Sequence, residues 1–259
     1  MTTTPAADVR VDRLWPDPAT DLTLAEALAG FAAPAPRDGR PGVAINMVTS
    51  VDGRAQLDGT AEGLGSRVDR RLMRHYRAAF DAVGSGAGTL RAAGAWLRVG
   101  DELAERRAAE GRTPNPTGIV IAGGDPVPTD GSWFEGDEER IVVVGRDNPM
   151  REVPSGTELL RAPTPEPEPG WVLARLAERG VRSLLLEGGP RINAAFHAAG
   201  VIDEVFWTVG ALVTAADALP MLAPPPTGST APSPRRLGLV SVLRNGDELF
   251  LRYRFDHGG

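Results

Sequence analysis

Cysteine is missing from all 259 residues, and so is lysine: the 28 Lys/Arg positions are arginine throughout. Without a thiol the chain forms no disulfide, no thiolate zinc or iron–sulfur site and no cysteine nucleophile. Without a side-chain primary amine, Schiff-base chemistry and a P-loop lysine are excluded. Histidine is scarce: His75, His197 and His257 stand far apart in no metal-ligand spacing, so no metal site is expected. No apolar run reaches the ~18 residues of a membrane span. The start, Met1-Thr2-Thr3-Thr4-Pro5, lacks the basic and apolar segments of a leader, so a cytoplasmic protein is expected. A net charge of −6 argues against a nucleic-acid partner, yet leaves room for a local basic pocket around a phosphorylated small molecule. What remains, 42% hydrophobic and 24% charged residues, is the balance of a globular chain able to bury a core.

The stretch around which the chain is organised is Leu184-Leu185-Leu186-Glu187-Gly188-Gly189-Pro190-Arg191-Ile192-Asn193. It reads as strand, tight turn and helix. The glycines let backbone approach a ligand, and proline suits the first helical position. The open N–H groups of that first turn form an anion site for a cofactor phosphate. The same pattern also fits an ordinary β-α turn.

Residues 1–20, with Pro5, Pro16 and Pro18 around Leu14 and Trp15, read as an extended arm pinning one aromatic side chain. A short helix through Leu22, Leu24, Leu28 and Phe31 would be capped by Thr20 or Asp21. The spacing gives a strand over 42–50, apolar nearly throughout and polar at its end (Thr49, Ser50, Asp52). A glycine-rich loop covers 55–65. Ser66 and Asp69 resemble a capping box opening a helix with Val68, Leu72, Met73 and Tyr76 on one face, and Arg67, Arg70, Arg71, Arg74 and Arg77 off it. Further strands fall at 80–85, 117–122, 140–145, 157–160, 184–186 and 203–210. A charged, peripheral helix is expected at 102–110, and another at 171–177 after the alternating prolines 163–169. Asn245-Gly246 joins the two arms of a closing hairpin. This order predicts a mostly parallel sheet with an antiparallel edge. Four strand exits carry small or hydroxyl residues: Val48-Thr49-Ser50, Gly86-Gly88-Thr89, Gly123-Gly124 and Gly188-Gly189-Pro190. In a parallel sheet they share one rim, a cleft fit for a dinucleotide.

Four motifs carry a family resemblance: Thr49-Ser50-Val51-Asp52-Gly53, Gly86-Ala87-Gly88-Thr89-Leu90-Arg91, Leu186-Glu187-Gly188-Gly189-Pro190 and Ala199-Gly200-Val201-Ile202-Asp203-Glu204-Val205. The chain resembles, over roughly 42–255, the C-terminal reductase domain of the bacterial bifunctional riboflavin enzyme, in the dihydrofolate-reductase-like superfamily. The resemblance implies an α/β fold with three α/β/α layers and a mostly parallel sheet closed by a C-terminal antiparallel hairpin. Residues 1–41 would be an arm and short helix, and 42–259 the reductase domain.

The implied reaction is NADPH-dependent reduction of 5-amino-6-(5-phosphoribosylamino)uracil to the ribitylamino product, in a homodimer built through the sheet edge. Val48, Thr49 and Thr89 would line the nicotinamide nucleotide, with Ser50, Gly86 and Gly88 beside them and Leu64 contributing from its loop. Gly123 would approach the adenosine. Gly188, Gly189, Pro190, Arg191, Ile192 and Asn193 would hold the pyrophosphate. Arg77, Glu187 and Ser66 would face the substrate, and Asp52 would brace the Ser50 turn or sit near the reacting ribose on the substrate side. Glu187, Asp52 or a bound water would deliver the proton.

Two departures stand out. Where the family continues with Asp-Asp-Pro, the chain reads Arg91-Ala92-Ala93-Gly94-Ala95-Trp96, so Ala93 replaces an acid expected to touch the cofactor. The deaminase domain that often precedes the reductase, with its zinc ligands, is not found. A same-fold reductase of another substrate, such as the pterin dihydrofolate, and a non-catalytic nucleotide-binding relative remain open readings.

Overall fold

The computed structural model describes residues 9–93, 98–215, 217–224 and 233–257. Its frame is one sheet of eleven strands: β1 (Arg10–Trp15), β2 (Ala19–Thr23), β3 (Gly42–Thr49), β4 (Ala82–Gly86), β5 (Thr117–Ala122), β6 (Arg140–Val144), β7 (Thr157–Arg161), β8 (Ser183–Leu186), β9 (Glu204–Val209), β10 (Leu237–Asn245) and β11 (Glu248–Phe255). Their order across the sheet is β2-β1-β10-β11-β9-β3-β8-β4-β5-β6-β7. From β9 to β7 every neighbouring pair is parallel. From β2 to β9 every pair is antiparallel. The expected mostly parallel sheet with a terminal hairpin is what forms.

Among the described residues six α-helices complete the layers: α1 (Leu24–Ala27), α2 (Arg67–Ala79), α3 (Ala87–Ala93), α4 (Asp101–Ala109), α5 (Pro169–Ala177) and α6 (Pro190–Ala198). Because successive strand side chains point to opposite faces, the central strands feed two cores at once. On β3, Ala44 packs with Leu24 of α1 and with Leu72 and Tyr76 of α2. Its neighbours Val43 and Ile45 pack with Leu173 and Leu176 of α5 and Phe196 of α6. That two-sided burial is why these strands read as unbroken apolar runs.

Several local expectations are corrected. The N-terminal arm is no loose clasp: β1 and β2 extend the sheet beyond β10, and Trp15 is 52% exposed. Because residues 19–23 are used as strand, the cap of α1 moves to Thr23, in a full capping box with Glu26. The glycine exit of β4 passes directly into α3. The charged α4 is not merely peripheral. Its Arg107 is 1% exposed and donates to the carbonyls of Ala78, Phe80 and Thr113. Trp133 is buried in a 3-10 turn against Gly118, where a Cβ would stand 3.2 Å from the indole. The closing hairpin turns at Gly246 and Asp247, one residue later than read, because Asn245 pairs with Glu248.

Candidate active site

In a parallel sheet the strand ends on one side form a common rim. Here β3, β4, β5 and β8 open onto a cavity of about 760 Å³, within the range of about 300–1,000 Å³ usual for small-molecule sites. Val48 from β3 lines it, as do Gly86, Gly88 and Thr89 at the β4–α3 junction. Gly123 comes from the end of β5. The β8 exit supplies Glu187, Gly188, Gly189, Pro190, Arg191 and Ile192. The four expected exits therefore do converge.

The β8–α6 junction is built for close approach. Gly188 has φ +91°, a backbone region that favours glycine, and the Gly188–Gly189 peptide is cis. A Cβ on Gly189 would stand 3.1 Å from Thr89 Oγ1, and one on Gly86 3.0 Å from Ile192 Cγ1. Gly189 caps α6 without a side-chain hydrogen bond, and Pro190 has no N–H to give. The amides of Arg191 and Ile192 thus have no intrahelical acceptor and a helix dipole behind them. Arg191 is exposed, lines the cavity and has no ion-pair partner among the described residues. A diphosphate group fits this cradle: backbone donors, one free guanidinium and no side chain in the way.

Other expected site residues lie elsewhere. Thr49 is buried; its hydroxyl donates to the Ser50 carbonyl at 2.9 Å and accepts from Trp207 Nε1 at 2.8 Å. Ser50 is fully buried and accepts from the Arg54 amide at 3.0 Å. Asp52 sits on an exposed turn outside the cavity wall and accepts from the amides of Thr214 and Ala215, each at 3.1 Å. The Ser50 hydroxyl and these amides hold its carboxyl well below the usual carboxylate range. It braces its own turn against the 214–215 loop. Leu64 is core, 2% exposed. Ser66 caps α2, accepting from the amides of Val68 and Asp69. The expected capping box is completed from another element: Glu248, not Asp69, takes the Ser66 amide (3.0 Å) and its hydroxyl. Asn193 is buried in α6 and donates to the Met221 carbonyl at 3.3 Å. Ala93 closes α3, and Gly94, Ala95 and Trp96 of the remade loop lie outside the described residues.

Arg77 and Glu187, both expected to face substrate, are joined to each other. Arg77 Nε and Nη2 donate to the two Glu187 oxygens, each at 2.7 Å. Arg77 is 5% exposed and does not line the cavity, whereas Glu187 does. The guanidinium fork fixes the carboxylate from behind.

The cavity also holds a residue read only as part of a helix cap. Asp69 lies on its wall and accepts from the Thr208 hydroxyl at 2.7 Å. Burial, with the carboxylates of Glu248 and Glu187 adding to it, pushes its carboxyl up to about 6. The signal was in the spacing: Asp69, Met73 and Arg77 are four residues apart, a single stripe of α2 aimed at Glu187. At the far end, Asp125 and Glu166 line the wall near Gly123, beside Arg91, whose Nη2 is 3.5 Å from Asp125.

Fold and site together define an α/β protein with an uncapped helix N-terminus and a carboxylate at one strand rim. The chain belongs to the RibD C-terminal domain family, whose model matches residues 41–250. The family resemblance carried by the four motifs therefore holds. The chain is 29% identical over 171 residues to the 2,5-diamino-6-ribosylamino-4(3H)-pyrimidinone 5′-phosphate reductase of Archaeoglobus fulgidus, covering 64% of this chain and 78% of that protein. It is 31% identical over 187 residues to the riboflavin biosynthesis protein RibD of Mycobacterium tuberculosis, covering 70% of this chain but 47% of that longer protein. The fold is shared with a pyrimidine reductase-like protein from Corynebacterium diphtheriae (TM-score 0.73, 20% identity, 84% of this chain and 93% of that one). It is shared too with the riboflavin biosynthesis reductase Rib7 of Saccharomyces cerevisiae (TM-score 0.68, 16% identity, 90% and 99%).

Proposed function

We propose that this protein is an NADPH-dependent reductase of the riboflavin pathway type, reducing the ribose of a phosphorylated ribosylaminopyrimidine to the ribityl form. The carrying observation is the Gly188-Gly189-Pro190 cradle beside the Arg77-anchored Glu187, in one cavity large enough for a small-molecule ligand. When bound, the reduced nicotinamide supplies the hydride. The chain itself supplies position and exclusion of water. Gly189, Arg191 and Ile192 hold the pyrophosphate, and Val48, Gly86, Gly88 and Thr89 line the path to the reacting end. Glu187, locked by Arg77, offers a fixed acceptor to substrate hydroxyl or amino groups. Among the described residues Arg91 is held by the Pro126 carbonyl and Asp125 alone, at the exposed end of the cavity, and can turn onto a 2′-phosphate, which is the basis for preferring NADPH.

The substrate proposed is 5-amino-6-(5-phosphoribosylamino)uracil. The name of the archaeal relative supports a second candidate, which carries an amino group where the uracil has its 2-oxo group. The working form is a cytoplasmic homodimer. Support for the dimer is a sheet face rather than the edge first expected. Trp15, Val242, Leu251 and Trp207 lie opposite one another across β1, β10, β11 and β9. They point to one side, where Trp15, Val242 and Leu251 join none of the cores.

The test is NADPH oxidation by purified protein with each pyrimidine and with dihydrofolate. Turnover of either pyrimidine, with product identified by mass spectrometry, is expected. Turnover of dihydrofolate alone would replace the proposal with the pterin reading. Coenzyme binding without turnover of any of the three would replace it with a non-catalytic one.

A further inference from the structure

One carboxyl on the cavity wall has no role in the account above. Asp69 sits near the start of α2, beside Met73 on the same wall. Its Oδ1 accepts from the Thr208 hydroxyl at 2.7 Å. Its Oδ2 occupies space that exists because residue 65 is glycine: a Cβ there would stand 2.2 Å away. Three charged groups face it from the elements around. Glu248, at the start of β11, is held by Ser66. Glu187, after β8, is held by Arg77. Arg70 lies on its own helix. Two carboxylates against one cation, together with burial, disfavour the ionised form. Glu187, the other carboxyl at this part of the wall, has both oxygens occupied by Arg77 and serves as an acceptor.

We propose that Asp69 is the general acid of this site, giving its Oδ2 proton to the exocyclic nitrogen that joins the pyrimidine to the sugar as that sugar is reduced. The proposal rests on the reductase reading. Ring opening breaks the C1′–O4′ bond, moves the nitrogen's proton to O4′ and leaves a C1′=N double bond. Hydride from the reduced nicotinamide adds to C1′, and the π pair of the double bond moves onto nitrogen. Nitrogen takes the proton from Asp69, whose carboxylate is reprotonated from water. Asp69 must therefore hold a proton at the working pH, and its carboxyl, pushed up to about 6, does so in the weakly acid range where an ordinary aspartate is ionised.

Asp69→Asn keeps the shape and removes the titratable proton. Single-turnover hydride transfer is expected to fall by about 100-fold or more, the usual share of a general acid, with coenzyme Kd changed less than about threefold. The wild-type rate should decline as pH rises through about 6, as Asp69 loses its proton. In Thr208→Val the decline should move to higher pH, because the lost hydrogen bond had favoured the carboxylate. A readout apart from turnover is carbon NMR of aspartate-labelled, coenzyme-free protein. One aspartate should titrate near 6 in the wild type and be missing from Asp69→Asn. A full-rate Asp69→Asn enzyme overturns the proposal, as does a wild type with no aspartate titrating above about 5. Parallel loss of rate and coenzyme binding in Asp69→Asn assigns the residue to packing and also overturns it. A wild type that turns over neither pyrimidine removes the reductase reading itself, whereas an active wild type with an unimpaired variant removes only the acid.

Discussion

Two neighbouring glycines, changed one at a time to alanine, should fail in different ways. Gly188 has φ +91°, and a Cβ there would stand 3.2 Å from Met47 Sδ. Left-handed backbone costs an L-residue roughly 1–2 kcal/mol, and the tight sulfur contact adds to it, so Gly188→Ala should lose about 2 kcal/mol. In a chain of this size each kcal/mol lowers Tm by about 2–4 °C, giving a drop of about 4–8 °C. Gly189 is different. Its φ of −80° and ψ of −179° are extended backbone open to any residue. The added methyl would meet one side-chain atom, Thr89 Oγ1 at 3.1 Å, which must yield slightly. Gly189→Ala should therefore cost less than about 1 kcal/mol of stability. Its methyl nevertheless stands where the proposed pyrophosphate site would bring the ligand to the α6 amides. Losing one hydrogen bond to a charged group is worth about 1.5–3 kcal/mol, or about 10- to 150-fold in Kd. Differential scanning fluorimetry and titration calorimetry with NADPH read the two quantities separately. If Gly189→Ala binds within twofold of wild type, the cradle is not the pyrophosphate site. If it melts as early as Gly188→Ala, the glycine serves the turn and nothing more.

Arg77→Met leaves Glu187 charged and buried with no partner, and should lower unfolding free energy in urea by about 3–5 kcal/mol, with coenzyme Kd little changed. A variant of native stability with a raised substrate KM would instead put Arg77 in direct contact with substrate. Arg91→Ala should weaken NADPH at least about tenfold while leaving NADH alone; equal effects on both would mean that Arg91 does not read the 2′-phosphate. Leu251→Glu places a charge in the uncovered apolar face and should sediment as a monomer where wild type sediments as a dimer. A wild-type monomer at micromolar concentration would remove the dimer altogether.

The strands and the rim were legible in the chain because burial on both faces leaves an unbroken apolar run, and a close-approach turn leaves glycine. Both demands act on neighbouring residues and so appear in linear order, as at 184–190. The Thr23 cap and the two edge strands at 10–23 were not legible. Which short polar segment pairs with a sheet edge depends on β10, more than 200 residues away. The site divides in the same way. Glycines and the Pro190 helix start follow from local backbone geometry and were found in advance. Side-chain roles depend on long-range partners and were not: Glu248 took the capping duty expected of Asp69, Arg77 turned to Glu187, and Asp52 turned to the 214–215 loop.

By itself the sequence determined the class of fold and the glycine-rich rim, since periodicity and glycine placement are properties of adjacent residues, and four short motifs carried the family resemblance. Only the tertiary structure decided which carboxyls enter the cavity, and that one of them, Asp69, is buried there. Burial acts on Asp69 most, and Thr208, Glu248 and Glu187 reach it from separate strands or their ends.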